Sequence, residues 1–140
     1  MKQHCLLALC LMLVGCNCPQ ISNTIAEQVS AANAVDFHTF VPGNWDRFCV
    51  LGPYSTGETA RDTLGFSWPI GSRSSVKSND GISLLLFVRE QQVVHSVEHP
   101  RNKGDFAKLS GRCFTSEQAQ FVLKAGRTDN WPELVPRNGV

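Results

Sequence analysis

The chain has 140 residues, of which 42% are hydrophobic and 18% are charged. These fractions are typical of one folded domain and exclude the charge-rich composition of a disordered chain. Thirteen Lys and Arg side chains against twelve Asp and Glu give a formal net charge of +1, and no dense basic run occurs. We therefore expect no nucleic acid partner, and no residue pattern indicates a cofactor.

The first fifteen residues have the pattern of a secretory signal peptide. Lys2 provides a positive charge, and residues 5–15 form a run of eleven residues without a charged side chain. Such a run is too short to span a bilayer but suits the apolar region of a signal peptide. The alternative is a buried N-terminal helix, which should carry a polar face, whereas this segment is apolar on every side. We assign residues 1–15 to the signal peptide.

This segment leads into Leu13, Val14, Gly15 and Cys16. The Leu-Val-Gly-Cys run resembles the lipobox of bacterial lipoproteins, in which the cysteine thiol is acylated, the chain is cut before it, and the new N-terminus is acylated too. The resemblance covers the signal segment and not the domain. It implies a mature protein held to a membrane through Cys16, since each buried methylene of an acyl chain is worth about 0.8 kcal/mol.

The residue after the lipidated cysteine influences sorting in the same class of proteins, where Asp favours retention at the inner membrane. Here that residue is Asn17. The resemblance therefore implies the periplasmic face of an outer membrane. The resemblance implies membrane lipids as partners, through acylated Cys16. The anchor and the lack of a recognisable active site lead us to expect another envelope protein as a further partner.

Cys16 and Cys18 lie one residue apart, which also allows a Cys-x-Cys metal clip. A clip needs further ligands at useful spacing, and Cys49 and Cys113 are isolated in the sequence. We therefore favour acylation of Cys16 and expect no metal site.

Cys49 and Cys113 both lie in apolar segments with the composition of strands. With Cys16 acylated, three thiols remain in an oxidising compartment, and we predict a disulfide between these two. The closed loop spans 65 residues counting both ends, for which loop closure stabilises the fold by about 4 kcal/mol. Two buried free thiols are the alternative. Cys18 is left over, either reduced or cross-linking two molecules.

We interpret residues 16–36 as a lipidated tether that becomes a short helix. Ile21 and Ile25 have helical spacing, and either Ser22 or Asn23 is suited to cap the first turn.

The globular domain covers residues 37–140. Its first strand is predicted over residues 45–54, and a helix should follow between the capping residue Thr56 and the terminal Gly65. The polar stretch 71–81 predicts a loop.

A β-hairpin follows, with strands over residues 82–88 and 93–97 joined by residues 89–92. The first strand is apolar on both faces, which predicts a central position in a sheet. The second strand alternates more between apolar and polar residues and should lie nearer an edge of the sheet.

The last elements are a strand over residues 106–114 and a helix that ends at Gly126. Thr115 and Gln118 have the spacing of a capping box for this helix. The tail beyond should be irregular, with Trp131 against the body. Together the elements predict an α+β fold, with an antiparallel sheet of about four strands and helices on one face.

His95, Glu98 and His99 form a His-x-x-Glu-His sequence that resembles the zinc motif of inverzincin metalloproteases. That motif needs a helix, on which residues four apart share a face. Here the apolar alternation and the following Pro100 predict a strand, on which residues four apart lie about 13 Å from each other. We therefore expect surface or strand-edge histidines.

Trp45, Asp46 and Arg47 combine aromatic and charged groups beside a Pro-Gly turn. Such a mixture suits a recognition surface, and equally a strand entrance with Trp45 in the core. We predict a non-enzymatic, lipid-anchored envelope lipoprotein whose domain is a binding or interaction module. The alternatives are a small hydrolase or zinc-dependent enzyme that uses the His-x-x-Glu-His residues, and a purely structural role in the envelope.

Overall fold

The computed structural model describes residues 18–125 and 131–139. The signal segment, Cys16 and the predicted helix end at Gly126 lie outside the described residues. The described helices are α1 (Pro19–Ala32), α2 (Gly57–Leu64) and α3 (Ile70–Arg73), and the strands are β1 (Ala34–Asp36), β2 (Arg47–Leu51), β3 (Ile82–Arg89), β4 (Gln92–Pro100), β5 (Cys113–Thr115), β6 (Gln120–Leu123) and β7 (Leu134–Pro136). None of these helices has the length and hydropathy needed to cross a membrane.

The strands form two antiparallel sheets, ordered β4-β3-β2-β5 and β1-β6-β7. In the larger sheet β3 is an interior strand and β4 is an edge strand. The α+β class is therefore confirmed, as are the central position of the strand predicted over residues 82–88 and the edge position of its partner. The three-stranded sheet is an addition to the single sheet that the sequence predicts.

Two hydrophobic cores lie on opposite faces of the larger sheet. Phe48 and Val50 of β2 face the first core, while Cys49 and Leu51 face the second. Helix α1 and the smaller sheet contribute to the first core, and α2 and α3 contribute to the second. The helices thus cover both faces of this sheet and not the single face that the sequence predicts, because the continuous apolar run of β3 needs cover on each side.

Helix α1 begins earlier than the sequence predicts. Pro19 occupies its first turn, where the fixed φ and missing N–H of proline are tolerated, and Cys18 takes the N-cap position. The expected caps, Ser22 and Asn23, lie inside the helix. The helix is therefore longer than the short one that the sequence predicts, and residues 18–36 belong to the folded domain, since α1 packs into the first core and β1 pairs with β6.

Both end signals of α2 are confirmed. Thr56 caps the first turn by accepting a hydrogen bond from the Thr59 N–H at 3.3 Å, and Gly65 ends the helix with a φ of 81°. The stretch 71–81 is less irregular than predicted, because it contains most of α3 and a 3-10 turn at Val76–Ser78.

The hairpin between β3 and β4 is tighter than the sequence predicts. Its connection consists of Glu90 and Gln91 alone. Glu90 has a φ of 55°, a conformation that favours glycine. Its N–H donates to Asp46 Oδ2 at 2.8 Å, which holds the hairpin tip beside the start of β2.

The segment predicted as a helix after Thr115 is a strand. Both reciprocal hydrogen bonds between Thr115 and Gln118 form, at 3.1 and 3.2 Å, but they close a turn between β5 and β6. Phe121 of β6 is fully buried, and this strand pairs with β1 on one side and β7 on the other. Long-range pairing therefore outweighs the local helix signal.

Two further predictions near the C-terminus are wrong. Most of the segment 106–114 is not a strand, since Ala107–Leu109 form a 3-10 turn and β5 begins at residue 113. The tail is not wholly irregular, because β7 forms the edge of the smaller sheet. Trp131 does contact the body, with its ring 5.2 Å from the guanidinium carbon of Arg101.

The predicted disulfide between Cys49 and Cys113 is confirmed. The two residues are direct neighbours across β2 and β5, with Cα atoms 4.1 Å apart and an S–S distance of 2.02 Å. Cys49 is fully buried, whereas Cys113 is exposed. The bond ties the edge strand β5 to the interior of the larger sheet.

Candidate functional site

The His-x-x-Glu-His residues lie on the edge strand β4, as the sequence predicts. His95 and His99 are an even number of residues apart and project from one face, while Glu98 projects from the other. Each contacts different parts of the domain, so the three side chains do not converge on one point. Within residues 18–125 and 131–139, no group of three or more His, Cys, Asp or Glu side chains is placed to hold a metal ion.

Glu98 holds the segment that follows α3 against β4. Its Oε1 accepts hydrogen bonds from the Ser75 N–H at 2.7 Å and from the hydroxyls of Ser74 and Ser75 at 2.8 and 3.0 Å. Partial burial raises the pKa of Glu98, but these three hydrogen bonds outweigh burial and bring the pKa below its ordinary value. The carboxylate therefore has a structural task on this face.

His99 is fully buried and joins α1 to β4. Its Nδ1 lies 2.8 Å from the hydroxyl of Ser22, and its Nε2 makes no hydrogen bond within the described chain. Burial lowers the pKa of His99 to about 4, against the opposing effects of the Lys103 main chain and the Asp105 carboxylate. The ring is therefore neutral near pH 7.

His95 connects the start of α1 to the segment before β2. Its Nε2 lies 2.8 Å from the Pro42 carbonyl oxygen, and its Nδ1 lies 3.6 Å from Cys18 Sγ. A carbonyl oxygen only accepts, so we assign the ring proton to Nε2, which leaves Nδ1 to accept from the thiol. The Cys18 N–H donates to the Ser96 carbonyl at 3.3 Å. Residue 18 is thus fixed to β4 by both its main chain and its side chain.

An apolar cleft of about 330 Å³ opens beside this contact. Its walls come from the first turns of α1 and from the segment before β2, and the lining residues are Cys18, Gln20, Ile21, Thr24, Phe40 and Pro42. None of these side chains is charged. We call the surface formed by residues 18–24 and 40–43 the Cys18 face.

A second cleft, of about 290 Å³, lies on the other side of the segment 40–43. Val41 and Gly43 line this cleft, whereas Phe40 and Pro42 line the apolar one. Its remaining lining residues are polar or charged apart from one tryptophan: His38, Asn44, Trp45, Asp46, Arg89, Glu90 and Ser116. We call it the polar cleft.

Two of the three residues predicted as a binding surface line the polar cleft. The Trp45 ring is mostly buried, packs edge-on against Phe87 with centroids 5.2 Å apart, and belongs to the first core. Asp46 is exposed but supports the hairpin through Glu90. Arg47 points elsewhere, since its Nη2 donates to the Leu64 carbonyl at the end of α2 at 2.8 Å. The three therefore do not form one continuous surface.

Sequence reasoning missed the exposed aromatic side chain of Tyr54. Its exposed fraction is 61%, the only large hydrophobic side chain so exposed in the described ranges. Its φ of 66° is unusual for a residue other than glycine. The turn after Gly52 and Pro53 was the available signal, but a turn position does not reveal whether an aromatic ring faces solvent.

The chain matches no protein-family model, no curated protein and no solved structure.

Proposed function

We propose that this protein is a lipid-anchored lipoprotein of a bacterial envelope, acylated on Cys16, whose domain is a non-enzymatic interaction module. The observation that carries the proposal is the lipobox-like run at residues 13–16 at the end of an uncharged apolar segment. The Asn that follows Cys16 favours the periplasmic face of an outer membrane.

The disulfide between Cys49 and Cys113 supports a location outside the cytosol. Disulfides persist in oxidising compartments such as the periplasm and are rare where thiols are kept reduced. This argument uses residues far from the signal segment, so it is independent of the lipobox.

The roles of the candidate catalytic side chains favour binding over catalysis. Glu98 is engaged by the Ser74 and Ser75 hydroxyls and a main-chain N–H, and His99 is buried with a lowered pKa. His95 is held by the Pro42 carbonyl. The polar cleft, with charged groups of both signs beside a tryptophan, is the surface we assign to a protein partner.

Acylation and membrane attachment are tested by labelling with radioactive palmitate in the native host. Label should enter the wild-type protein and the Cys18→Ala variant, and both should sediment with membranes. The Cys16→Ala variant should take up no label. Equal labelling of the Cys16→Ala variant would contradict the proposal.

The partner surface is tested by replacing Asn44, an exposed residue of the polar cleft, with a photoreactive amino acid in intact cells. We expect one discrete cross-linked product. The matched control places the same group at Asp62, an exposed position of α2. The same products from both positions, or none from position 44, would contradict a role for this cleft in binding.

A further inference from the structure

Cys18 belongs to the folded domain and lies two residues after the proposed lipid attachment site. Cys18 is fixed by its hydrogen bond to Ser96, and α1 starts at Pro19. Two residues span at most about 7 Å, even when fully extended. The polar layer on each side of a bilayer has about the same thickness as this span, roughly 5–8 Å. If Cys16 is acylated, Cys18 therefore lies at the membrane surface.

The Cys18 face has the composition that such a position requires. Residues 17–26 and 37–45 contain no Asp, Glu, Lys or Arg, although these types make up 18% of the chain. Pro19 and Pro42 are exposed there, and Phe40 is half-buried. Contact of this face with the membrane interface therefore removes no formal charge from water, while burial of its apolar groups is favourable.

The rest of the domain extends away from this face. Helix α1 packs on one side of the larger sheet, and α2 packs on the other side over the second core. The exposed residues of α2, such as Glu58, are therefore separated from α1 by the sheet.

We infer that the Cys18 face rests on the lipid bilayer, with its apolar cleft against the acyl and headgroup boundary, so that the domain has one fixed orientation. This inference rests on the proposed acylation of Cys16. The polar cleft shares the segment 40–43 with this face and lies beside the membrane, open to a partner in the same leaflet. The contact involves no formal charges, so it should not depend on ionic strength.

The test uses the full chain, processed and acylated in a Gram-negative host and reconstituted into phosphatidylcholine vesicles. In a Cys18→Ser background, a spin label is attached to Gln20→Cys in the apolar cleft or, as the matched control, to Glu58→Cys on α2. Both parent residues are exposed and lie on helices. Collision rates are measured with oxygen, which enters lipid, and with a water-soluble nickel chelate.

We expect the ratio of oxygen to nickel collisions to be severalfold higher at position 20 than at position 58, at low and high salt alike. Equal ratios in protein that carries acyl groups on Cys16 would overturn the orientation and leave the proposed function standing. Spin–spin broadening between labels at position 20 would also overturn it, because a second copy would then cover the face. Mass spectrometry that finds Cys16 without acyl groups would remove the proposed function and this inference together.

Discussion

The Ser22 hydroxyl on α1 lies 2.8 Å from Nδ1 of His99 on β4, and 77 residues of sequence separate them. This buried pair joins the first described helix to the edge strand of the larger sheet. The proximity of Cys18 Sγ and His95 Nδ1 repeats the same long-range connection one turn earlier on the helix, at 3.6 Å. The first turn of α1 is therefore held in place by β4, next to the proposed anchor.

His99 makes stability depend on pH. Its pKa is lowered from 6.5 to about 4 in the folded state, so the unfolded chain binds more protons between these values. The free energy of unfolding should therefore fall as pH decreases from 6.5 towards 4. Below pH 4, His99 should cause no further change in this free energy. A pKa shift of this size corresponds to a change of about 3 kcal/mol in the free energy of unfolding.

Urea unfolding of wild type and of a His99→Gln variant between pH 7 and pH 4 measures this dependence. The variant should lose less stability over the interval, because its side chain does not titrate. The His38→Gln variant, changed at an exposed histidine, is the control and should follow the wild type. A His99→Gln profile parallel to that of the wild type would show that this histidine is not the titrating group.

The disulfide between Cys49 and Cys113 should make a large contribution to stability. It closes a long loop, with a sequence separation of 64, and the chain-entropy model gives about 4 kcal/mol for its removal. A reducing agent should therefore shift the urea midpoint of the domain strongly downward. The reducing agent should lower the midpoint of a Cys18→Ser variant by the same amount, because residue 18 takes no part in the disulfide. An unchanged midpoint in a Cys49→Ala/Cys113→Ala variant would contradict this role.

Asp46 should matter for stability more than other exposed aspartates. Asp46→Ala removes the acceptor for the Glu90 N–H at a hairpin tip with positive φ, and we expect a loss of about 1 kcal/mol. Asp62→Ala, on the exposed side of α2, is the control and should change little. Urea unfolding compares the two, and equal losses would indicate that the hairpin contact contributes nothing specific.

Glu98→Gln should loosen the segment after α3. Since hydrogen bonds to the carboxylate lower the pKa of Glu98, its ionised form stabilises the folded state above its ordinary pKa, and that stability is lost as pH falls through the folded value. At pH 7 we expect faster hydrogen exchange at the Ser75 and Val76 amides in this variant. Glu117→Gln, at an exposed turn position, should leave those amides unchanged.

Signals that act over a few residues predicted the structure well. Thr56 and Gly65 bound α2 because capping depends on neighbouring main-chain groups. The apolar run before Arg89 gave a central strand because only a doubly covered strand can bury both faces. The disulfide was predicted from the number of cysteines and the expected oxidising compartment, because the sequence alone does not show that Cys49 and Cys113 are neighbours.

The failures came where distant partners decide the outcome. The Thr115 and Gln118 hydrogen bonds serve a tight turn as well as a helix start, and pairing of β6 with β1 selects the turn. The contact between Cys18 and His95 joins two residues with no local pattern in common. The polar cleft likewise brings Trp45 and Asp46 together with His38 and Arg89 through the topology of the sheet.

The mass of the mature protein tests the central claim most directly. Protein is extracted from the membranes of its native host with detergent, and its intact mass and N-terminal peptide are measured. We predict a chain of residues 16–140 with fatty acyl groups on Cys16 and on its amino group. A chain that retains residues 1–15, or one that begins at an unmodified Cys16, would contradict the account.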